Sequence, residues 1–143
     1  IPSVAVDGET RKEYNVTHIA DNGFYKADQK EHMMESIVIP EGIVEIGYKA
    51  FAQCFTKFKG DIVLPSTVST IKSRAFFNCQ HINLVITSSI PPALEADGDY
   101  KWFLSVEKIV VPVNQGVAYR KDKKGKSLSV GCWSSGLGRE ERR

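Results

Sequence analysis

The chain has 143 residues, 42% of them hydrophobic, and a formal net charge of +2, which fits one soluble-type domain in size and composition. No segment approaches the run of about 18 apolar residues that a membrane helix needs, so we expect no direct membrane insertion. The basic residues concentrate after residue 100, but no aromatic residues alternate with them to stack on bases, so we expect no nucleic-acid binding.

The first 19 residues predict a capping hairpin. Val4-Ala5-Val6 alternates as a strand, and Asp7-Gly8 is a strong hairpin signal. Tyr14 and Val16 would supply the return strand. We expect residues 1–19 to cover the first repeat, whose core would otherwise be exposed.

Two segments, Ile37–Cys54 and Ile62–Cys79, align at a spacing of 25 residues. Both fit the pattern I-x-I/L-P-x2-I/V-x2-I-x3-A-F-x2-C, and such a period is typical of stacked-repeat proteins. Residues 37–61 and 62–86 are therefore predicted to be two clear repeats. Residues 16–36 keep some of the same spacings and predict a degenerate repeat before them.

Each repeat slot has a predicted structural role. Ile37/Ile39 and Ile62/Leu64 would be alternate residues of short strands with one buried face. The Ala-Phe pairs would lie on short helical or 3₁₀ turns, with the Phe filling the centre of the repeat. The predicted structural core consists of Ile46, Phe51, Cys54, Ile71, Phe76 and Cys79.

The pattern changes after the second clear repeat. Ile82, Leu84 and Ile86 alternate as a strand would, and Ile109–Pro112 predicts a further strand within a C-terminal cap over residues 87–121. Residues 122–143 are rich in Gly, Ser and basic residues without a clear element, so we predict a basic, flexible tail. The chain would thus comprise one repeat domain, residues 1–121, followed by this tail.

These residues resemble the BspA-like leucine-rich repeat. The stretch Ile37–Cys54, IVIPEGIVEIGYKAFAQC, is similar to the consensus of that family, including Gly47 after Ile46, while Lys72 replaces this Gly in the next repeat. The run Ile109–Tyr119 is similar to the family's terminal element. The resemblance implies a right-handed, β-rich solenoid of the leucine-rich-repeat type. It also implies an extracellular or cell-surface protein with a role in adhesion.

No catalytic or metal-binding constellation emerges from the sequence. His18, His32 and His81 have no partners at metal-ligand spacing, and Asp97 and Asp99 lack the other oxygen ligands of a calcium loop. Hydrolase and phosphate-binding motifs are also missing. We therefore expect no enzyme activity, no metal and no cofactor.

The cysteines do not form a disulfide framework. Cys54 and Cys79 would be buried thiols in one column, although adjacent repeats could bring them within disulfide distance. Cys132 is expected to be a free, exposed thiol.

Three aromatic residues form the candidate partner-binding site. Tyr100, Trp102 and Phe103 follow the turn Asp97-Gly98-Asp99, at the end of the insertion Glu95–Tyr100 that departs from the family pattern, and Trp and Tyr are enriched at binding hot spots. Alternatively, Trp102 or Phe103 fills the core of the last repeat. The repeats and the missing catalytic motifs favour a non-catalytic interaction module that binds a protein or a glycan and is monomeric or weakly self-associating, and the resemblance implies that the partner belongs to a host. The alternative is a structural cap, stalk or self-associating fragment of a longer repeat protein.

Overall fold

The computed structural model describes residues 1–25, 34–55, 58–79, 82–90, 92–95, 106–112 and 130–133. These residues contain short strands and turns. The strands are β1 (Val4–Val6), β2 (Glu13–Asn15), β3 (His18–Ile19), β4 (Glu45–Ile46), β5 (Gly60–Leu64), β6 (Thr70–Lys72), β7 (Ile82–Ile86), β8 (Ala93–Glu95), β9 (Val106–Pro112) and β10 (Val130–Trp133).

The strands form one antiparallel hairpin and two parallel sheets. The hairpin pairs β1 with β2. The first parallel sheet has the order β3-β4-β6-β8, and the second has the order β5-β7-β9-β10. From β4 to β9 the chain alternates between the two sheets, so consecutive strands belong to opposite sheets.

The sheet registers align equivalent apolar residues in columns, as the 25-residue spacing predicts. In the first parallel sheet, Ile19 pairs with Ile46, which pairs with Ile71. In the second, Ile62 pairs with Leu84, which pairs with Ile109. All six side chains are buried. The hydrophobic core therefore lies between the two parallel sheets, where alternate residues of each short strand point inward.

A column of phenyl rings crosses this core. The rings of Phe24 and Phe51 lie 5.1 Å apart with an interplanar angle of 8°, and those of Phe51 and Phe76 lie 5.4 Å apart at 19°. Beside the rings, the thiol of Cys54 donates to the carbonyl of Phe24 (3.3 Å), and that of Cys79 donates to the carbonyl of Phe51 (3.0 Å). Each repeat is thus joined to its predecessor by ring contact and by a thiol hydrogen bond. All six predicted core residues are buried.

The Ala-Phe segments form turns rather than the predicted helical or 3₁₀ turns. The amide of Ala50 donates to Gly47 (3.2 Å), as in a 3₁₀ turn, but Lys49 and Gln53 adopt left-handed φ values of 51° and 61°. These residues interrupt any helix and direct the intervening amide of Phe51 to the carbonyl of Ala75 in the next repeat (2.8 Å). Bonds to the next repeat therefore alternate with the bonds that Ala50, Ala52 and Cys54 make to residues three positions earlier.

The same left-handed positions recur 25 residues later. Arg74 and Asn78, the counterparts of Lys49 and Gln53, both have φ values of 57°. A left-handed conformation costs a residue with a side chain about 1–2 kcal/mol. The surrounding bonds between repeats offset this cost at each turn.

One predicted strand is missing from the described residues. Ile37–Ile39 keeps the alternating burial of a strand, with Val38 exposed and Ile39 buried, but it enters no ladder. The N-terminal ammonium of Ile1 instead donates to the carbonyl of Val38 (3.0 Å). The alternating burial of side chains is therefore present here without strand pairing.

The predicted N-terminal hairpin forms, with Ala5 opposite Tyr14. Every residue of β1 and β2 is exposed. Ile1 and Val16, at the two ends of the hairpin segment, pack against the core.

Within the predicted tail of residues 122–143, Val130–Trp133 forms a strand that the sequence did not indicate. This segment pairs in parallel with β9, with Val130 opposite Ile109 and Trp133 opposite Pro112. The Gly- and Ser-rich sequence shows no strand periodicity, so only the available edge of β9 explains the pairing. The remaining residues of the predicted tail lie outside the described residues.

Gly47 offers a test of how closely the repeats approach. A Cβ atom at this position would lie 2.6 Å from the amide nitrogen of Asp21 and 2.6 Å from the carbonyl oxygen of Ile19. Because both neighbours are backbone atoms, Gly47→Ala should lower the free energy of unfolding by about 1–3 kcal/mol in urea denaturation. Gly8→Ala is the matched control, since nothing lies within 4 Å of its added Cβ. Equal effects of the two substitutions would contradict the close approach.

Candidate functional site

The outward face of the second parallel sheet carries a row of valines. Because successive strand residues point to opposite faces, the buried residues Ile62, Leu84 and Ile109 leave the residue after each of them facing outward. The register places these in line, Val63 opposite Val85 and Val85 opposite Val110. We call these three residues the valine row.

The exposure of the valine row is greatest at β5. Val63 is 49% exposed, while Val85 and Val110 are half-buried between neighbouring strands. Val38, 25 residues before Val63 and in the same repeat slot, is 75% exposed. The sheet therefore presents β-branched apolar side chains to solvent on the face opposite the core.

A polar pair borders the valine row. Asp61 and Asn83 precede Val63 and Val85 by two residues on the same face, and Nδ2 of the Asn83 side chain donates to Oδ1 of Asp61 (2.7 Å). This hydrogen bond holds two side chains from adjacent strands in one arrangement. The face thus combines an apolar row with an ordered polar edge.

The outward face of the first parallel sheet is charged instead. Nζ of Lys72 lies 2.8 Å from Oε1 of Glu45 and 3.9 Å from Oδ1 of Asp21. The same Asp21 oxygen accepts the amide of Tyr48 (2.7 Å). All three charged side chains are partly exposed, so each ion pair adds little to stability. Their charges are largely satisfied by one another.

The two buried cysteines are poorly reactive. Cys54 and Cys79 are free thiols, as predicted. Burial raises the pKa of the Cys54 thiol from 9.0 to about 11 and that of the Cys79 thiol to about 12. Since the thiolate is the reactive form, neither residue is suited to nucleophilic catalysis. The side chain of Cys132 lies outside the described residues.

The described residues contain no cluster of three or more His, Cys, Asp or Glu side chains that could hold a metal ion. His18 is exposed, with Nδ1 2.7 Å from the hydroxyl of Thr17. His32, His81, Asp97 and Asp99 lie outside the described residues, as do all three members of the predicted aromatic site, Tyr100, Trp102 and Phe103. Within the described part of the chain, no helix has the length and apolar character needed to cross a membrane.

Comparison with protein families supplies the decisive finding. The family model described as BspA type leucine rich repeat region (6 copies) matches residues 17–95, more than half of the chain. The chain belongs to the BspA-type leucine-rich repeat family. The matched region begins just before β3 and ends with β8, and it includes the whole phenyl column. No curated protein and no solved structure matches the chain.

Membership in the BspA-type family confirms the resemblance seen in the sequence. Such repeats are generally non-catalytic and are typical of surface or secreted proteins. The functional features of a BspA-type repeat are therefore expected on its exposed faces rather than in a catalytic cleft.

Sequence reasoning missed the valine row of this BspA-type chain. The alternation in β5 and β7 predicts which residues are buried. By itself it does not show that the outward residues of different strands lie in line. A signal was present, since Val38 and Val63 stand 25 residues apart. The register was needed to show that Val63, Val85 and Val110 share one row.

Thiol reactivity tests the core of the repeats. In a Cys132→Ser variant at pH 8, Cys54 and Cys79 should not react with Ellman's reagent until urea unfolds the protein, because burial disfavours their thiolates. Absorbance at the thionitrobenzoate band reports the reaction, and the urea-unfolded sample is the positive control. Rapid modification of either thiol in the native protein would contradict the buried column.

Proposed function

We propose that the chain is a non-catalytic surface or secreted interaction module that binds a partner protein through the outward face of its second parallel sheet. One observation carries the proposal, the alignment of Val63, Val85 and Val110 in a solvent-facing row. Family membership supports a surface repeat module of this general kind.

The physical argument begins with the type of sheet. Parallel sheets are almost always covered on both faces, and the second parallel sheet is parallel throughout. Its inner face packs on the core, but Val63 remains exposed on the other side. A partner that covered it would complete the burial that this kind of sheet normally has.

The chemistry of the face suits a protein partner. Centres of protein interfaces are depleted in charged residues, while their rims are polar. The valine row supplies an uncharged centre, and the Asp61–Asn83 pair supplies an ordered polar rim. Aliphatic side chains offer a glycan few hydrogen bonds, so a protein is favoured over a glycan on this face.

The proposal extends to the architecture and to the predicted aromatic site. We propose that the repeats continue as a right-handed leucine-rich-repeat solenoid, supported by the regular alternation of parallel strands between two sheets. Tyr100, Trp102 and Phe103 lie in the connection from β8 to β9, which passes from the first sheet to the second. We propose that they add aromatic contacts to the partner surface.

A substitution in the valine row tests this function. Immobilised extracellular-matrix proteins and a glycan array are the probes, with binding followed by surface plasmon resonance and by array fluorescence. We expect a protein ligand with a Kd below about 50 µM and a loss of about tenfold or more in affinity for Val63→Lys, because the lysine would bury a charge in the interface.

The matched control is Val6→Lys on the hairpin, where a similarly exposed valine lies outside the proposed face. It should leave the affinity for the protein ligand unchanged. Binding to glycans alone, no binding across the protein panel, or equal binding by Val63→Lys and the unmodified chain would overturn the proposal.

A further inference from the structure

The N-terminal hairpin leads into the tripeptide Asn15-Val16-Thr17. Asn-X-Ser/Thr, where X is not Pro, is the acceptor sequence for N-linked glycosylation. No other asparagine of the chain is followed two residues later by Ser or Thr. Because so short a motif also occurs by chance, its meaning depends on where the fold places the asparagine and the threonine.

The asparagine end of the tripeptide faces solvent. Asn15 is the last residue of β2, and all three residues of this strand are exposed. A glycan on the Asn15 side chain therefore displaces no residue of the core. Glycosylated asparagines lie on the surface of secreted proteins, and the BspA-type family is typical of surface or secreted proteins.

The hairpin face around Asn15 is partly apolar. The register places Asn15 opposite Val4 and Glu13 opposite Val6, and the Cβ atoms of directly opposite residues lie about 4.5–5.5 Å apart. Val4 is 39% exposed and Val6 is 56% exposed. A sugar ring carries both C–H and O–H groups. The first sugars on Asn15 can therefore lie against the two valines while their hydroxyls donate to the Glu13 carboxylate.

The threonine end of the tripeptide is held by the repeat that follows. The carbonyl of Thr17 accepts the amides of Val44 (2.7 Å) and Glu45 (3.4 Å). The hydroxyl of Thr17 lies 2.7 Å from Nδ1 of His18, and Val16 packs against the core. The hydroxyl residue is an obligatory part of the acceptor sequence. In the folded chain this residue is already bound, although the asparagine is exposed.

We propose that Asn15 is an N-glycosylation site, that its glycan is transferred before the first repeat folds, and that the glycan then covers Val4 and Val6. The co-substrate is an oligosaccharide joined to a polyprenyl lipid through pyrophosphate. The side-chain nitrogen of Asn15 attacks C1 of the first sugar, and the C1–N bond forms as the C1–O bond to pyrophosphate breaks. The amide loses one proton and the lipid pyrophosphate leaves, so the transfer needs no oxidant or reductant.

The glycan site goes beyond the proposed partner binding and does not depend on it. Asn15 belongs to the antiparallel hairpin, whereas Val63 belongs to the second parallel sheet. Separate variants therefore test the two proposals.

Translation of the full chain behind a cleavable secretory leader, with microsomes from endoplasmic reticulum, tests the acceptor site. The chain should gain one glycan, seen as a single shift on a denaturing gel that peptide-N-glycosidase reverses. Asn15→Gln and Thr17→Ala should abolish the shift, while Thr17→Ser keeps the hydroxyl and should retain it. Asn22→Gln, the matched control at an asparagine outside the tripeptide, should also retain it. An unshifted parent chain, or a shift that persists in Asn15→Gln, would overturn the proposal.

The order of transfer and folding is tested on the folded chain with purified transferase and lipid-linked oligosaccharide. Modification should be slow, because Thr17 is bound to the next repeat. The Cβ atom in Gly47→Ala would meet the backbone of Ile19 and Asp21. This variant should open the contact more often and accelerate modification by about fivefold or more. Gly8→Ala, whose added Cβ meets nothing within 4 Å, should not. Equal rates in all three chains would contradict the proposed order.

Nuclear Overhauser contacts in the glycosylated chain test the covering of the hairpin. The ring protons of the first sugar should contact the methyl groups of Val4 and Val6. The methyl groups of Val63, a similarly exposed valine, should show no such contact. A glycan without contacts to either hairpin valine would refute the covering. Loss of partner binding in Val63→Lys would leave the glycosylation result unchanged.

Discussion

Three phenyl rings stacked at 5.1 and 5.4 Å determine how the repeats of this chain fit together. Neighbouring strands in a sheet lie about 4.8 Å apart, so a ring from each repeat can contact the next only if both parallel sheets advance by one strand per repeat. The 25-residue spacing between Phe51 and Phe76 satisfies this condition. The columns of aliphatic residues on either side follow the same advance.

The turns add hydrogen bonds between the repeats that the stacked rings join. In the turn with left-handed Lys49 and Gln53, alternate amides donate to the next repeat, and the thiols of Cys54 and Cys79 donate to the preceding repeat. Gly47 permits a backbone approach that a side chain would block. The left-handed backbone conformations therefore occur in the turns that contact a neighbouring repeat. The resulting core leaves the outward face of the second parallel sheet exposed at Val63.

The sequence was most informative where periodicity and burial coincide. Ile62 and Leu64 form the predicted strand, and Phe51 and Phe76 occupy the predicted centres. Ile37–Ile39 has the same pattern but forms no strand, and the ammonium group of Ile1 donates to the carbonyl of Val38 there. Val130–Trp133 lacks the alternation of apolar residues that predicts a strand, yet it pairs with β9. Strand pairing uses backbone hydrogen bonds, which do not depend on the side-chain pattern. The valine row required the register, and the predicted aromatic site lies outside the described residues.

The central claim is that ring contact between repeats couples their stability, and a double-mutant cycle on Phe51 and Phe76 measures this directly. Leucine at each position, singly and together, removes the ring contact while retaining most of the apolar volume. Urea denaturation should give a coupling energy of about 0.5–1.5 kcal/mol, as expected for a stacked aromatic pair. Additive effects of the two substitutions, within about 0.3 kcal/mol, would contradict the account.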